Sequence, residues 1–177
     1  MGYTTDFNGY MTIDPPLTPE RASYINKFSD TRRMARNAEK ASQMPDPLRE
    51  AVGLPIGQDG GYFLGGVGFA GQGKDDSVTG PNDPPAGQPS LWCQWVITEE
   101  GSKLEWDCGE KFYEYARWLD YIQEHFLTPW GSKLTGQIDW SGEDENDIGV
   151  LYASDGRVEE VSSTIHNPGP SWGGRIG

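Results

Sequence analysis

The chain has 177 residues with a net charge of −13, enough length for one domain to bury a core without disulfide or metal staples. Such an acidic balance repels phosphate backbones and anionic lipid faces, so direct nucleic-acid binding and membrane-surface attachment are not expected, while basic partners are. Seven Trp, eight Tyr and six Phe point to an aromatic core, and 24 Gly with 13 Pro point to long irregular stretches.

Residues 3–13 alternate, with Tyr3, Thr5, Phe7, Met11 and Ile13 on one parity, and predict a first strand in which Gly9 marks a bulge or a close approach. Thr18-Pro19-Glu20 then reads as a helix start, with Thr18 as the cap and Pro19 in the first helical position. That helix is predicted to run to about Asn37, burying Ala22, Ile25 and Phe28 with Tyr24 beside them. From Pro45 to Pro89 glycine and proline dominate; a loop is predicted throughout, with a short strand at Tyr62-Phe63-Leu64.

Two β-rich runs flank Glu100-Gly101. If that pair is a hairpin tip, Ile97 faces Leu104, Trp95 faces Trp106 and Cys93 faces Cys108, all on one side of the ribbon. A helix is predicted over 109–127, with Phe112, Tyr115, Ala116, Leu119, Ile122 and Phe126 on its buried stripe and Pro129 beyond its end. Residues 134–140 and 148–152 read as strands joined by an acidic loop, and Asp155-Gly156 turns the chain into a last short strand near Arg157 to Val161. The fold class predicted is α+β: an antiparallel sheet with two helices on one face, a ferredoxin-like β-α-β-β-α-β core with an extra C-terminal strand. Residues 1–166 are expected to form a single domain, with the 45–90 loop inside it and 167–177 as a tail.

No apolar run reaches membrane-spanning length, and the first residues lack a basic and apolar leader. A cytoplasmic setting, with Cys93 and Cys108 as thiols, is therefore expected.

Several patterns look like chemistry. Gly66 to Gly71 spells G-x-G-x-x-G, and Gly68 to Lys74 spells most of a phosphate-binding loop. Asp75-Asp76 stands where such a loop needs a hydroxyl, and no helix pattern follows, so no nucleotide or other cofactor is expected. His125 and His166 lie outside metal-ligand spacings, and 143–147 lacks the ligand alternation of a calcium loop, so no metal is expected either. A Cys93–His125 dyad is conceivable, but Cys93 falls on the predicted buried face; a hydrolase built on Asp107 and Glu110 is a further enzymatic alternative. The charge map is more informative. Residues 27–40 hold five Lys or Arg against two acids, whereas residues 99–160 hold sixteen acids against five Lys or Arg. The basic stretch either pairs within the chain or leaves a bipolar surface for a partner.

The runs GYTTDF, KFSDTRRMAR, PPAGQPSLWCQWV and EWDCGEKFYEYARWLDYIQEHFLTPWG, with L-x-G-Q-I-x-W-S-G-E-D over 134–144, resemble a family of small proteins from mycobacteriophages and other actinobacterial phages and genomes. That family has no assigned activity, so the resemblance carries over no site residue. What it implies is a phage accessory product acting in the host cytoplasm, a class whose members often bind a host or defence-system protein. The leading expectation is thus a non-enzymatic interaction protein. Its acidic and aromatic surface of Asp107, Glu110, Trp140, Glu143, Asp144 and Asp147 would meet a basic or mixed protein partner. The alternatives are a DNA mimic that inhibits a nucleic-acid-binding protein, and binding or cleavage of a small anionic ligand such as a nucleotide at Arg32, Arg33 and Arg36 with a stacking Trp.

Overall fold

The computed structural model describes residues 3–66 and 75–164. In chain order its elements are β1 (Asp6–Asp14), α1 (Pro19–Ser29), β2 (Ala35–Arg36), α2 (Ala38–Ser42), α3 (Pro47–Ala51), β3 (Val78–Gly80), β4 (Trp95–Ile97), β5 (Lys103–Trp106), α4 (Tyr115–Ile122), α5 (Thr128–Trp130), β6 (Lys133–Ser141), β7 (Asp147–Ser154) and β8 (Arg157–Thr164). They divide into two compact units, one of Met1–Leu17 with Gln94–Gly177 and one of Thr18–Cys93.

The first unit is a mixed α+β body built on a six-stranded sheet in the order β4-β5-β1-β6-β7-β8, antiparallel at every pairing. Period-two alternation sorts its side chains, so Met11, Ile13, Leu104, Leu134, Ile138 and Leu151 share the buried face. Each such side chain contributes about 1.5–3 kcal/mol on leaving water. Leu119, Ile122 and Phe126 from the helical segment are equally buried. Gln123 ties that segment to the sheet: its amide nitrogen donates to Ser132 O, and its oxygen accepts from Leu134 N. The hairpin register is the one alternation predicts, with Trp95 opposite Trp106 and Ile97 opposite Leu104. Gly9 is a close approach rather than a bulge: its φ is 110°, Gln137 O lies 3.2 Å from where a β carbon would stand, and the β1–β6 register runs unbroken through it.

Three expectations for this unit need correction. The strands β4 and β5 stop before the cysteines, and Cys108 is exposed with φ 69° while Cys93 is buried, so the two do not share a buried face. The helix begins at Tyr115, not at 109, because Cys108, Lys111 and Glu114 all adopt left-handed backbone with φ of 69°, 57° and 59°. It also continues past Pro129: a widened π turn over Gln123–Leu127 precedes the proline and accommodates its ring and missing N–H.

In the second unit Thr18 caps α1, accepting from Arg21 N, and Tyr24, Ile25 and Phe28 are buried as the spacing predicts. The helix stops at Ser29 rather than near Asn37. Thr31 donates its hydroxyl to Lys27 O, Arg33 N donates to Leu91 O and Ala35 N to Asp83 O, so residues 33–36 are drawn into long-range pairing instead of a further helical turn. Residues 45–90 are not loop throughout. They hold α3, a 3-10 turn at Gln58–Gly60 and β3, which pairs with β2, and Tyr62-Phe63-Leu64 forms no strand. The organiser there is Asp46, a buried carboxylate that pairs with Arg49 and accepts from Leu64 N and Gly65 N. The glycine-rich motif lies mostly outside the described residues, as do His166 and the tail. Among the described residues no helix is long and apolar enough to cross a membrane.

Candidate functional site

Strand alternation places Trp140, Gly149 and Ser162 side by side on the inner face of the first unit, with Asp147 and Leu151 flanking Gly149 and Glu160 flanking Ser162. A β carbon on Gly149 would overlap the Cε2–Cζ2 edge of the Trp140 indole and the Val161 carbonyl oxygen. The bare glycine therefore lets the indole lie across β7 toward β8. Cε2 carries Nε1, and this N–H is buried without a hydrogen-bond partner among the described residues. Trp140 as a whole is 6% exposed. A buried donor left unpaired costs about 1–3 kcal/mol.

Two phenols and two carboxylates gather beside this indole. Tyr115, the first residue of α4, packs its ring 5.9 Å from Trp140 and 4.9 Å from Phe7, and its hydroxyl is hydrogen-bonded to the Glu160 carboxylate. Tyr3 donates its hydroxyl to Asp147 Oδ2 at 2.6 Å and accepts from Asp144 N at 3.2 Å. Thr4 N donates to Glu143 Oε2 at 2.6 Å. Gly142 leaves room for this strap, since a β carbon there would strike both the Tyr3 hydroxyl and the Asp147 carboxylate. The left-handed residues before α4 fix where Tyr115 enters. Each costs about 1–3 kcal/mol of backbone strain, and the stretch is anchored by Phe112, buried against Phe7 and Trp95 with ring centroids 5.8 and 5.1 Å away.

The electrostatics follow from crowding. Burial pushes the Glu160 carboxyl above the usual carboxylate range; the Tyr115 hydrogen bond opposes this and the nearby Asp147 charge adds to it. Burial, then the Glu160 charge, pushes the Tyr115 phenol up. Tyr3 is raised by its bond to Asp147. Among the described residues no Lys or Arg forms an ion pair with Asp147 or Glu160. The arrangement is a pair of half-buried carboxyl groups with hydrogen-bond donors on its flanks and, among the described residues, no ion-paired Lys or Arg.

The structure brings three of the sequence-predicted residues, Glu143, Asp144 and Asp147, together around Tyr3. Trp140 lies on the buried side of the sheet rather than at an open surface, and forms the wall of the cluster. Asp107 and Glu110 sit on the connection from β5 to α4, where Asp107 accepts from Gly109 N and Glu110 O accepts from the Gln94 side chain. Sequence reasoning missed Tyr3, Tyr115 and Glu160 as site residues. Alternation and helical spacing give their faces, but not which of them meet. At the same end of the sheet the opposite face forms an open groove of about 510 Å³ edged by Asp6, Asn8, Asp139, Ile148 and Val150.

The three arginines of the anion alternative are engaged within the second unit. Arg32 donates to Pro81 O and Asn82 Oδ1. Arg33, 2% exposed, donates to Gly61 O, Phe63 O and Gln88 Oε1 and lies over the Phe28 ring. Arg36 pairs with Asp75 and Ser77 over the Phe63 ring. Among the described residues no group of three or more His, Cys, Asp or Glu has metal-holding geometry. His125 stacks on Tyr121 with centroids 4.0 Å apart.

Comparison with protein-family models, curated proteins and solved structures gives no match for this chain.

Proposed function

We propose that the chain is a non-enzymatic binding protein that captures a cationic side chain of a protein partner at the Asp147–Glu160 cluster. The observation that carries this reading is the pair of half-buried carboxylates, with no ion-paired Lys or Arg among the described residues, walled by Trp140, Tyr115 and Tyr3. An ammonium or guanidinium group relieves their mutual repulsion, donates charge-assisted hydrogen bonds to them and finds aromatic faces beside it. The net charge of −13 steers such a partner toward the chain. The setting we propose, from the resemblance to phage proteins, is an accessory product acting on a host or defence-system protein in the bacterial cytoplasm.

The antiparallel order β4-β5-β1-β6 supports reading the first unit as a ferredoxin-like core extended by β7 and β8. On that reading the carboxylates belong to the extension, Asp147 on β7 and Glu160 on β8, and the binding function is an addition to a common scaffold.

The test is isothermal titration of a lysine-rich peptide into three proteins: the wild type, an Asp147→Asn, Glu160→Gln double variant, and a Glu99→Gln, Glu105→Gln control that removes the same charge from exposed positions. The site variant is expected to bind about tenfold more weakly or worse, the scale of losing charge-assisted hydrogen bonds, with the control close to wild type. Equal losses in both variants would reduce the effect to net charge and sink the reading.

A further inference from the structure

The turn between β7 and β8 fixes which main-chain groups of β8 are free. Asp155 and Gly156 have φ of 56° and 81°, and Ser154 faces Arg157 across them. A two-residue turn of this kind closes on a pair that exchanges both main-chain hydrogen bonds. Counting outward, Glu159 and Val161 turn their N–H and C=O toward β7, while Val158, Glu160 and Ser162 turn theirs away from it. β8 ends the strand order, so among the described residues no strand pairs with that side. An eight-residue open edge is a template for an added strand.

The inner face of that edge is the carboxylate cluster. A residue directly opposite Glu160 on an added strand shares its face, with β carbons about 4.5–5.5 Å apart. A Lys or Arg there reaches the Glu160 carboxylate and extends toward Asp147. A second copy of the chain fits poorly, because antiparallel β8 strands centred on Glu160 would set Glu160 against Glu160, and like charges directly opposed are destabilising.

We infer that the free edge of β8 takes up an extended basic segment of a partner protein as a seventh strand, with a Lys or Arg opposite Glu160 seated in the carboxylate cluster. This rests on reading the cluster as a cation site. The probe is a nine-residue peptide alternating lysine and threonine, compared with the same peptide N-methylated at every second residue, on the full chain. The plain peptide is expected to slow amide exchange at Val158, Glu160 and Ser162 by about tenfold or more and to lose affinity by a similar factor on N-methylation or with Glu160→Gln, the effect of losing one or two good hydrogen bonds. Ser162→Pro removes an outward N–H without taking a bond from β7, and is expected to act like N-methylation; if that variant melts early, the N-methylated peptide carries the test alone. Binding that depends on Glu160 but ignores N-methylation and Ser162→Pro would overturn strand addition while leaving the cation site standing. Binding indifferent to Glu160 and Asp147, or no binding, would overturn both. A dimer in sedimentation that Ser162→Pro abolishes would make a second copy the occupant and overturn the inference.

Discussion

Glu160 sits where burial and the Asp147 charge lift its protonation above the ordinary carboxylate range, with the Tyr115 hydrogen bond pulling the other way. Between its unfolded and folded values the native chain holds the extra proton, so its contribution is fully present below the unfolded value and is lost as pH rises through the folded one. Glu160→Gln removes that penalty. The variant is expected to melt at a higher temperature than wild type at neutral pH, with the gap closing toward pH 4; thermal melts from pH 4 to 8 check it. A residue that weakens the fold at neutral pH is what a binding site built for an absent cation requires. Asp75 has the opposite sign. Burial works against its charge, but hydrogen bonds from Ser77 and Arg36 prevail and hold it below the usual range, so its stabilisation is present above the unfolded value and disappears as acid titrates it. Gly149→Ala drives a methyl into the Trp140 indole and the Val161 carbonyl. The expected loss is about 1–3 kcal/mol, the range for an overpacked core, read from urea unfolding.

At the scale of elements, the connection from β5 to α4 resets the cysteine chemistry. Cys108 is exposed and is expected to react with a thiol reagent at free-thiol rates in the native state, while buried Cys93 reacts only in denaturant. Two slow thiols would contradict the left-handed turn at Cys108. The 45–65 segment hangs on one carboxylate. Asp46→Ala leaves Arg49, Leu64 N and Gly65 N without their partner, and is expected to cost about 3–5 kcal/mol, as for a buried pair broken from one side. Exchange protection should fall across Thr18–Cys93 first. What the sequence made legible at this scale was whatever local rules decide. The hairpin register followed from parity about Glu100-Gly101, the start of α1 from Thr18-Pro19, and the three C-terminal strands from alternation and Asp155-Gly156. Left-handed Cys108, Lys111 and Glu114 carry no sequence mark, because nothing local favours that backbone; it is imposed by Phe112 seating against Phe7 and Trp95. The early end of α1 was equally hidden, since Arg33 and Ala35 answer to Leu91 and Asp83, far along the chain.

At the scale of the molecule, the candidate site was the least legible part. Tyr3 and Asp147 stand 144 positions apart, and Tyr115 reaches Glu160 only through the packing of α4 beside β8. The acidic turn at 143–147 pointed to one end of the sheet, but the phenols that stand beside it in the cluster had no reason to stand out from a stripe of core aromatics. The larger arrangement has a consequence for how the protein is made. β1 lies inside the sheet, and its two neighbours, Lys103–Trp106 and Lys133–Ser141, are encoded after the whole of Thr18–Cys93. At ordinary translation speeds β1 therefore waits about 5–18 seconds with both edges bare before its first neighbour is made, and about 6–25 seconds before its second is. A nascent chain stalled just after Cys93 has cleared the exit tunnel is expected to resist protease across Thr18–Cys93 and to be cut within Asp6–Asp14. One stalled after Ser141 has emerged is expected to have lost that cleavage, so the growing polypeptide guards its oldest strand last.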